Sequence, residues 1–272
     1  MLLCSIREVI LHHISYSELA KWDFCPYARK LIYEDKIKEF KGNIFTAFGT
    51  AIHAVCEKYF ESGRELDKKF FFGEMFRKEL KGLEERGEQF TGDEIKNFFN
   101  QGLAIVEEID RAFDEYFGSD FEFIKAEETL LEKIGEFTDA DYKFKGYVDL
   151  IVKTPDGKYH IIDYKSCSWG WDLKKRSDKI IAYQLTLYKH YWAQKMGIDA
   201  ELIETHFALL KRTAKVGDKV EIFRVTSGAK KVSNALNLLK KALYNINTNN
   251  HMKNRLSCQN CEFNNTPYCQ KE

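Results

Sequence analysis

The sequence has no net charge, because its 42 lysines and arginines balance its 42 aspartates and glutamates. A neutral total argues against a protein that is basic over its whole surface and binds nucleic acid in that way. No apolar run approaches the roughly 20 residues that a membrane-spanning helix requires, and the start of the sequence shows no signal-peptide cleavage pattern. From these absences we expect a soluble, cytoplasmic protein with no membrane partner.

Proline is also scarce, with only three in the chain, and the sequence contains neither an internal repeat nor a low-complexity linker. Because 44% of the 272 residues are hydrophobic, the chain can bury a large core, which excludes a disordered tail and a disulfide mini-protein. We predict a single domain over residues 1–272. Its three parts are a helical part over 15–120, a core over 121–225, and a C-terminal helix with a cysteine-rich tail over 226–272.

The neutral total conceals a gradient along the chain. Residues 1–136 carry 19 basic and 28 acidic side chains, a balance of −9, whereas residues 137–272 carry 23 basic and 14 acidic side chains, a balance of +9. A basic face confined to the second half is therefore compatible with a net charge of zero. The distribution of charge, and not its sum, bears on nucleic-acid binding.

The predicted secondary structure changes type near residue 121. A capping-box pattern at Ser15–Glu18 opens a short helix, and a second short helix follows Pro26. The further predicted helices span 45–61, 68–86, 93–117, 179–196 and 229–246. The predicted strands span 121–134, 144–152, 159–164, 203–210 and 219–225. This order predicts an α/β domain with a helical N-terminal elaboration.

Two aspartates and a lysine stand out in the strands. Asp149 is separated by thirteen residues from Asp163, and Lys165 follows two places later. Because side chains alternate along a strand, Asp163 and Lys165 share a face, and a hairpin through Pro155–Gly157 would bring Asp149 beside them. Clustered carboxylates attract hard cations such as Mg²⁺, and a lysine beside the ion suits phosphodiester hydrolysis. An exposed Asp–Lys pair at a strand end is the alternative, since D-x-K is short and common.

Three further patterns surround these residues in a fixed order. They are G-x-x-x-H ending at His53, a glutamate at Glu127, and Q-x-x-x-Y from Gln184 to Tyr188. Together with the segments Gly146–Asp149 and Asp163–Lys165, they resemble the RecB-like branch of the PD-(D/E)XK nucleases. The resemblance implies a restriction-endonuclease-like core, in which a mixed central sheet is flanked by helices.

The resemblance also implies a role for each matching residue. His53, Asp149, Asp163 and the backbone carbonyl of Tyr164 would hold Mg²⁺ or Mn²⁺, and Lys165 would be the catalytic lysine. Glu127 would join the catalytic acids; its neighbour Glu128 is the alternative. Gln184 and Tyr188 would position DNA or support the site. Taken alone, His53 could equally pack in the core, and Gln184 and Tyr188 could form a solvated helix face.

Three cysteines in the tail form a second pattern, C-x2-C-x7-C at Cys258, Cys261 and Cys269. Three close thiolates could hold Zn²⁺ or an iron–sulfur cluster, and both normally take a fourth ligand. Within the tail only His251 could serve. Free thiols are the remaining alternative.

Iron–sulfur members of the nuclease branch carry a lone cysteine before the nuclease motifs, in a segment like S-x-S-x-L-x-x-[FW]-x-x-C-P. Among them are the CRISPR-associated RecB-like exonucleases and the AddB-type helicase–nucleases. Residues 15–26 read SYSELAKWDFCP and are similar to that segment. The resemblance implies that Cys25, Cys258, Cys261 and Cys269 bind a [4Fe–4S] cluster and join the two chain ends. The spacing before Cys269 is longer than usual by about two residues, and Zn²⁺ is the competing ligand.

A basic and aromatic loop follows the D-x-K motif. It contains Trp169, Trp171, Lys174, Lys175 and Arg176. Basic side chains interleaved with aromatic rings suit contact with the backbone and bases of single-stranded DNA, although a solvated loop is the simpler interpretation of any one of them.

The combined prediction is a metal-dependent DNA exonuclease that acts on single-stranded ends, with 5′→3′ direction taken from the resemblance. Recombination, repair, phage DNA processing and CRISPR adaptation all use such enzymes. No G-x-x-x-x-G-K-[ST] motif is present, so ATP-driven unwinding would need a partner helicase. The alternative is a DNA-binding subunit of a recombination complex whose nuclease site is vestigial.

Overall fold

The computed structural model describes residues 12–37, 40–135 and 142–270. The start of the chain, which shows no signal-peptide cleavage pattern in its sequence, lies largely outside these residues. The helices are α1 Tyr16–Phe24, α2 Pro26–Tyr33, α3 Ile44–Glu61, α4 Lys68–Glu84, α5 Gly92–Phe117, α6 Leu173–Arg176, α7 Lys179–Met196 and α8 Ala229–Asn247. The strands are β1 His13–Ser15, β2 Glu122–Lys133, β3 Lys143–Lys153, β4 Tyr159–Cys167, β5 Ile203–Lys211 and β6 Val220–Arg224.

The helix starts follow the capping residues in the sequence. Ser15 accepts a hydrogen bond from the backbone of Glu18 and begins α1, as the capping-box pattern predicts. Thr91 and Glu94 form a reciprocal capping box at α5, and Asp178 caps α7. Each of these caps satisfies backbone N–H groups that have no partner inside the helix.

The strands form one mixed sheet in the order β1-β3-β4-β5-β6, with β2 paired along the other edge of β3. Strands β2, β3 and β4 are joined antiparallel, β4 and β5 are parallel, and β6 is antiparallel to β5. The parallel pair is connected through α7, as parallel strands require a crossover. The mixed central sheet flanked by helices confirms the predicted fold class.

Alternating side chains of the strands feed two cores, one on each face of the sheet. On one face, Leu150 and Ile162 pack with α3, α4 and α5. On the other face, Ile151 and Ile161 pack with α7 and α8. This alternation is the period-2 pattern of a sheet that is covered on both sides.

A third, smaller apolar cluster joins the two ends of the described chain. Phe263 in the tail is fully buried against Ala28 and Leu31 of α2, beside Cys25. The tail is held there by Asn254 and Ser257, whose side chains both donate to the carbonyl oxygen of Phe24.

None of the helices in the described residues is long and apolar enough to cross a membrane.

Candidate active site

The sheet opens into a fork between β3 and β4. Their pairing extends from Lys153 and Tyr159 to Leu150 and Ile162 and then ends. Beyond this point β1 occupies the edge of β3 at residues 143–145. One residue past the last pair, the register would set Asp149 opposite Asp163. The two aspartates of the predicted site therefore lie where the strands separate.

The fork replaces a strand hydrogen bond with a side-chain hydrogen bond. The backbone N–H of Tyr164 donates to Asp149 Oδ2 at 2.8 Å. A charge-assisted bond of this type fixes the carboxylate of one strand against the backbone of the next. Asp149 is thereby oriented before any ligand binds.

Asp163 and Lys165 lie on one face of the sheet, as their spacing predicts, and α7 covers that face. Gln184 Nε2 donates to Asp163 Oδ1 at 2.6 Å, and Lys165 Nζ donates to Gln184 Oε1 at 2.9 Å. Lys165 Nζ also lies 2.7 Å from Asp163 Oδ2. One amide therefore orients both the acid and the lysine. Gln184 lies in the site and not on a solvated helix face.

Tyr188 lies one turn beyond Gln184 and packs against β3. Its hydroxyl oxygen accepts from Gln184 Nε2 at 3.3 Å. A Cβ atom at Gly146 would lie 2.8 Å from Tyr188 Cε1, closer than real contacts allow. Gly146 and Tyr188 are therefore partners in packing: the absence of a side chain at Gly146 makes room for the ring.

Helix α3 brings His53 and Glu57 to the open side of the fork. His53 Nδ1 lies 3.9 Å from Asp149 Oδ2. Ligand atoms of His53, Glu57 and Asp149 all lie within 4.8 Å of one another, a spacing at which one metal ion can be bound by all three. We had not predicted Glu57; its signal in the sequence is the i, i+4 spacing from His53, which puts both residues on one helix face.

Asp163 lies outside that group of three because its carboxylate faces Gln184 and Lys165. Only 2% of Asp163 is exposed. Its Oδ2 atom is buried and is paired with Lys165 Nζ at 2.7 Å. A buried carboxylate beside a second carboxylate and an imidazole is a donor set that suits Mg²⁺ or Mn²⁺.

Burial shifts the pKa values of four groups at the fork, two aspartates, a glutamate and a histidine, toward their neutral forms. It raises the pKa of Asp149 and of Asp163 to about 6, although Lys165 opposes both shifts. It raises the pKa of Glu57 to about 8, with further contributions from the charges of Asp149 and Glu127. The pKa of His53 falls to about 4 for the same reason, so the ring is neutral and can act as a ligand.

Glu127 and Glu128 lie on opposite sides of β2. Glu127 lines a cavity of about 610 Å³ together with His53 and Glu57. Its backbone has a φ of +47°, in the left-handed region, where non-glycine residues are uncommon. Glu128 instead pairs with Lys195 at 2.6 Å. The structure thus brings Glu127, and not Glu128, to the fork.

Tyr164 has a buried ring whose centroid lies 5.8 Å from that of His53. The ring packs in the core on the α3 side of the sheet, while the backbone of Tyr164 holds Asp149. A metal-binding role for its carbonyl oxygen stays a prediction.

The basic and aromatic loop divides into exposed and packed residues. Trp169 is 75% exposed, whereas Trp171 is 8% exposed and packs against Phe207 at a centroid distance of 5.0 Å. Lys174 and Lys175 are exposed on α6. Arg176 is held by Glu221, to which it donates at 2.5 Å.

The four cysteines lie together at the junction of the chain ends. Cys25, Cys258, Cys261 and Cys269 line one small cavity. The backbone N–H of Asn254 donates to Cys25 Sγ at 3.4 Å. His251 does not line this cavity; its Nε2 atom lies 3.4 Å from Glu34 Oε2.

Comparison with known proteins gives a family and a fold. The profile of the PD-(D/E)XK nuclease superfamily matches residues 13–270. A solved structure from Eubacterium rectale, named "putative exonuclease", has a TM-score of 0.59 and 18% identity, covering 96% of this chain and 92% of that chain. SSO0001 has a TM-score of 0.43 and 13% identity over 94% and 84% of the two chains. No curated protein matches the chain.

Proposed function

Because the chain belongs to the PD-(D/E)XK nuclease superfamily and is a nuclease, we propose that it is a metal-dependent exonuclease acting on single-stranded DNA ends. The observation that carries this proposal is the fork. Asp149 and Asp163 end the pairing of β3 and β4, and Lys165 contacts Asp163 at 2.7 Å. The two carboxylates and the lysine are the groups that metal-assisted hydrolysis of a phosphodiester requires.

We assign the metal ligands to His53, Asp149, Asp163 and the carbonyl oxygen of Tyr164, and we add Glu57. A bound Mg²⁺ or Mn²⁺ would lower the pKa of water and neutralise charge on the phosphate. Neutral His53 offers a lone pair at Nδ1 on the side of Asp149. Glu127 lines the same cavity and adds negative charge that favours a cation.

The remaining residues of the site position the reacting groups. Lys165 is oriented by Gln184 and carries a positive charge at the open end of β4, where it can stabilise charge that develops on the phosphate. Gln184 and Tyr188 are buried behind it and support the site from α7. Their role is therefore positioning, since direct contact with DNA would require exposure.

We place the DNA along the exposed residues that follow β4 in the chain. Trp169 presents a free aromatic face, on which a base can stack, and Lys174 and Lys175 can contact phosphates. Trp171 is buried and supports Lys175, because Lys175 Nζ lies 4.7 Å from the centre of the indole ring. Arg176 positions the loop through its ion pair with Glu221.

We further propose that the four cysteines bind a [4Fe–4S] cluster. All four side chains line one small cavity at the junction of the chain ends, where their thiolates could share a metal centre. The choice of iron over zinc rests on the resemblance of the cysteine pattern to that of the iron–sulfur members of the nuclease branch. The cluster would fasten the tail to the α1–α2 junction.

The biological setting that we propose is the processing of DNA ends in the cytoplasm during recombination, repair, phage DNA processing or CRISPR adaptation. A helicase or adaptation protein would supply single strands, and we favour 5′→3′ direction. The test is a time course with single-stranded DNA labelled at either end and with Mn²⁺, comparing wild type with Asp163→Asn and Lys165→Ala. Asp156→Asn, in the exposed β3–β4 turn, is the control.

We expect shortening from labelled ends in the wild type and in the control, and none in the two site variants. Release of the 5′ label before the 3′ label would establish the direction. Binding without cleavage by the wild type on every substrate would contradict the proposal and favour a vestigial site in a DNA-binding subunit.

A further inference from the structure

A second group of potential ligands lies at the other end of β4 from the fork. Strand β4 pairs in parallel with β5 so that His160 is opposite Glu204, and Ile162 is opposite His206. Because side chains alternate along a strand, His160, Glu204 and His206 emerge on the same face of the sheet. The end of α5 covers them, with Tyr116 and Phe117 beside the two rings.

The three side chains converge on one point. His160 Nδ1 lies 3.0 Å from His206 Nε2. A carboxylate oxygen of Glu204 and one ring nitrogen from each histidine all lie within 4.8 Å of one another. The histidines are 6% and 1% exposed, so the positions of their rings are fixed by packing. Two imidazoles and one carboxylate are an established donor set for zinc.

The outer nitrogens of both rings are held by hydroxyl groups. His160 Nε2 lies 2.8 Å from Thr154 Oγ1, which in turn donates to Asp156. The hydroxyl therefore accepts from His160 Nε2–H, and His160 Nδ1 is left with its lone pair facing inward. His206 Nδ1 contacts Tyr116 Oη at 3.2 Å. Partners of this kind fix the orientation and tautomer of histidines that bind metals.

We propose that His160 Nδ1, His206 Nε2 and the carboxylate of Glu204 bind one divalent transition-metal ion of the Zn²⁺ type. The fourth position of the ion opens to the surface cavity that these residues line with Asp156 and Lys158. On binding, the proton of His206 Nε2 moves to Nδ1, which then donates to the oxygen of Tyr116. The ion would connect β4 and β5 independently of the nuclease site.

Two cations compete with a metal for Glu204. Lys158 Nζ lies 3.2 Å and Arg224 Nη2 lies 3.3 Å from its Oε1 atom. Both side chains are substantially exposed, so each can leave the carboxylate for solvent at modest cost. Their presence weakens the attraction for a divalent ion, and removal of Arg224 should therefore tighten zinc binding.

The test is calorimetric titration of Zn²⁺ into the full chain with its cysteine site loaded and with excess Mg²⁺ present. Wild type is compared with His206→Gln, Glu204→Gln and Arg224→Ala, and X-ray absorption at the zinc edge identifies the ligands. Glu204→Gln keeps the packing if His206→Gln disturbs folding. Circular dichroism checks that each variant folds.

We expect wild type to bind one more equivalent of zinc than Glu204→Gln, with nitrogen and oxygen ligands only. We expect Arg224→Ala to bind that equivalent several-fold more tightly. Equal stoichiometry in wild type and Glu204→Gln, or zinc bound by sulfur alone, would overturn the proposal. So would unchanged affinity in Arg224→Ala.

Discussion

Asp149 and Asp163 occupy facing positions one residue beyond the last pair of β3 and β4, and the backbone N–H of Tyr164 reaches across to Asp149 at 2.8 Å. Because β3 and β4 separate at this point, the backbone N–H of Tyr164 is free to donate to a side chain and not to the neighbouring strand. The fork therefore places both carboxylates where we propose that they bind a cation.

The first prediction concerns the amide that joins Asp163 to Lys165. Gln184→Leu keeps a similar side-chain volume but removes the hydrogen bonds to Asp163, Lys165 and Tyr188. We expect a loss of activity of roughly 10- to 100-fold, the usual effect of removing a group that orients a metal site. The measurement is the initial rate as a function of Mn²⁺ concentration. Gln194→Leu, near the end of the same helix, should leave the rate unchanged; equal losses in the two variants would contradict a positioning role for Gln184.

The second prediction concerns Glu57 in the absence of metal. Its pKa in the folded protein is about 8, against an ordinary value of 4.5. The folded protein therefore binds more protons than the unfolded chain between these values, and the contribution of Glu57 to stability declines as pH rises through this window. The measurement is the free energy of unfolding in urea at about pH 5 and about pH 8. We expect the difference between the two values to be smaller in Glu57→Gln than in the wild type.

The same substitution should weaken metal binding. We expect Glu57→Gln to raise the Mn²⁺ concentration needed for half-maximal activity, because one of three close ligands loses its charge. Glu74→Gln is the matched control, since Glu74 lies on α4 and forms an exposed ion pair with Arg77. An unchanged metal requirement in Glu57→Gln would exclude Glu57 from the site.

The third prediction tests the contact between β3 and α7. Gly146→Ala places a methyl group 2.8 Å from Tyr188, and overpacking of this kind costs about 1–3 kcal/mol of the free energy of unfolding. Gly92→Ala, in the first turn of α5, has nothing within 4 Å of the added atom and should not destabilise the protein. Denaturant unfolding measures both, and equal stability of the two variants would contradict the close contact.

The fourth prediction concerns the tail. Cys261→Ser should abolish visible absorption, iron and acid-labile sulfide together, and it should lower the melting temperature because the tail loses its attachment. Cys56→Ala is the control, since Cys56 is buried in the α3 core and not in the apolar cluster that holds Cys25, Cys261 and Cys269. This variant should retain iron despite a packing cost. Stoichiometric zinc in protein purified without oxygen would contradict the cluster.

The fifth prediction concerns DNA binding by α6. Alanine at both Lys174 and Lys175 should weaken binding of single strands regardless of sequence and reduce the salt slope by about 1.4, or roughly 0.7 for each phosphate contact. Alanine at Lys81 and Lys96, which are exposed on α4 and α5, should have no effect. Fluorescence anisotropy at several salt concentrations measures both pairs, and an unchanged slope would place the DNA elsewhere.

Much of the fold was predictable because its signals are local. Caps, turns and apolar periodicity depend on neighbouring residues, so the predicted helices and strands match those of the structure closely. Short elements were harder: β1 was not predicted, because three residues carry no periodicity and pair only with a strand 130 positions away. The shared face of Asp163 and Lys165 was predictable from alternation alone.

The sequence by itself determined which residues could do the chemistry: two aspartates and a lysine at strand spacing, and a cysteine pattern in the tail. Only the tertiary structure decided which of them meet. It brought Glu57 to Asp149, turned Glu127 inward and Glu128 toward Lys195, and buried Trp171 in the core. It also joined His160 to His206. These contacts depend on where strands separate and how helices cross the sheet, and such long-range packing leaves no periodic signal in a single sequence.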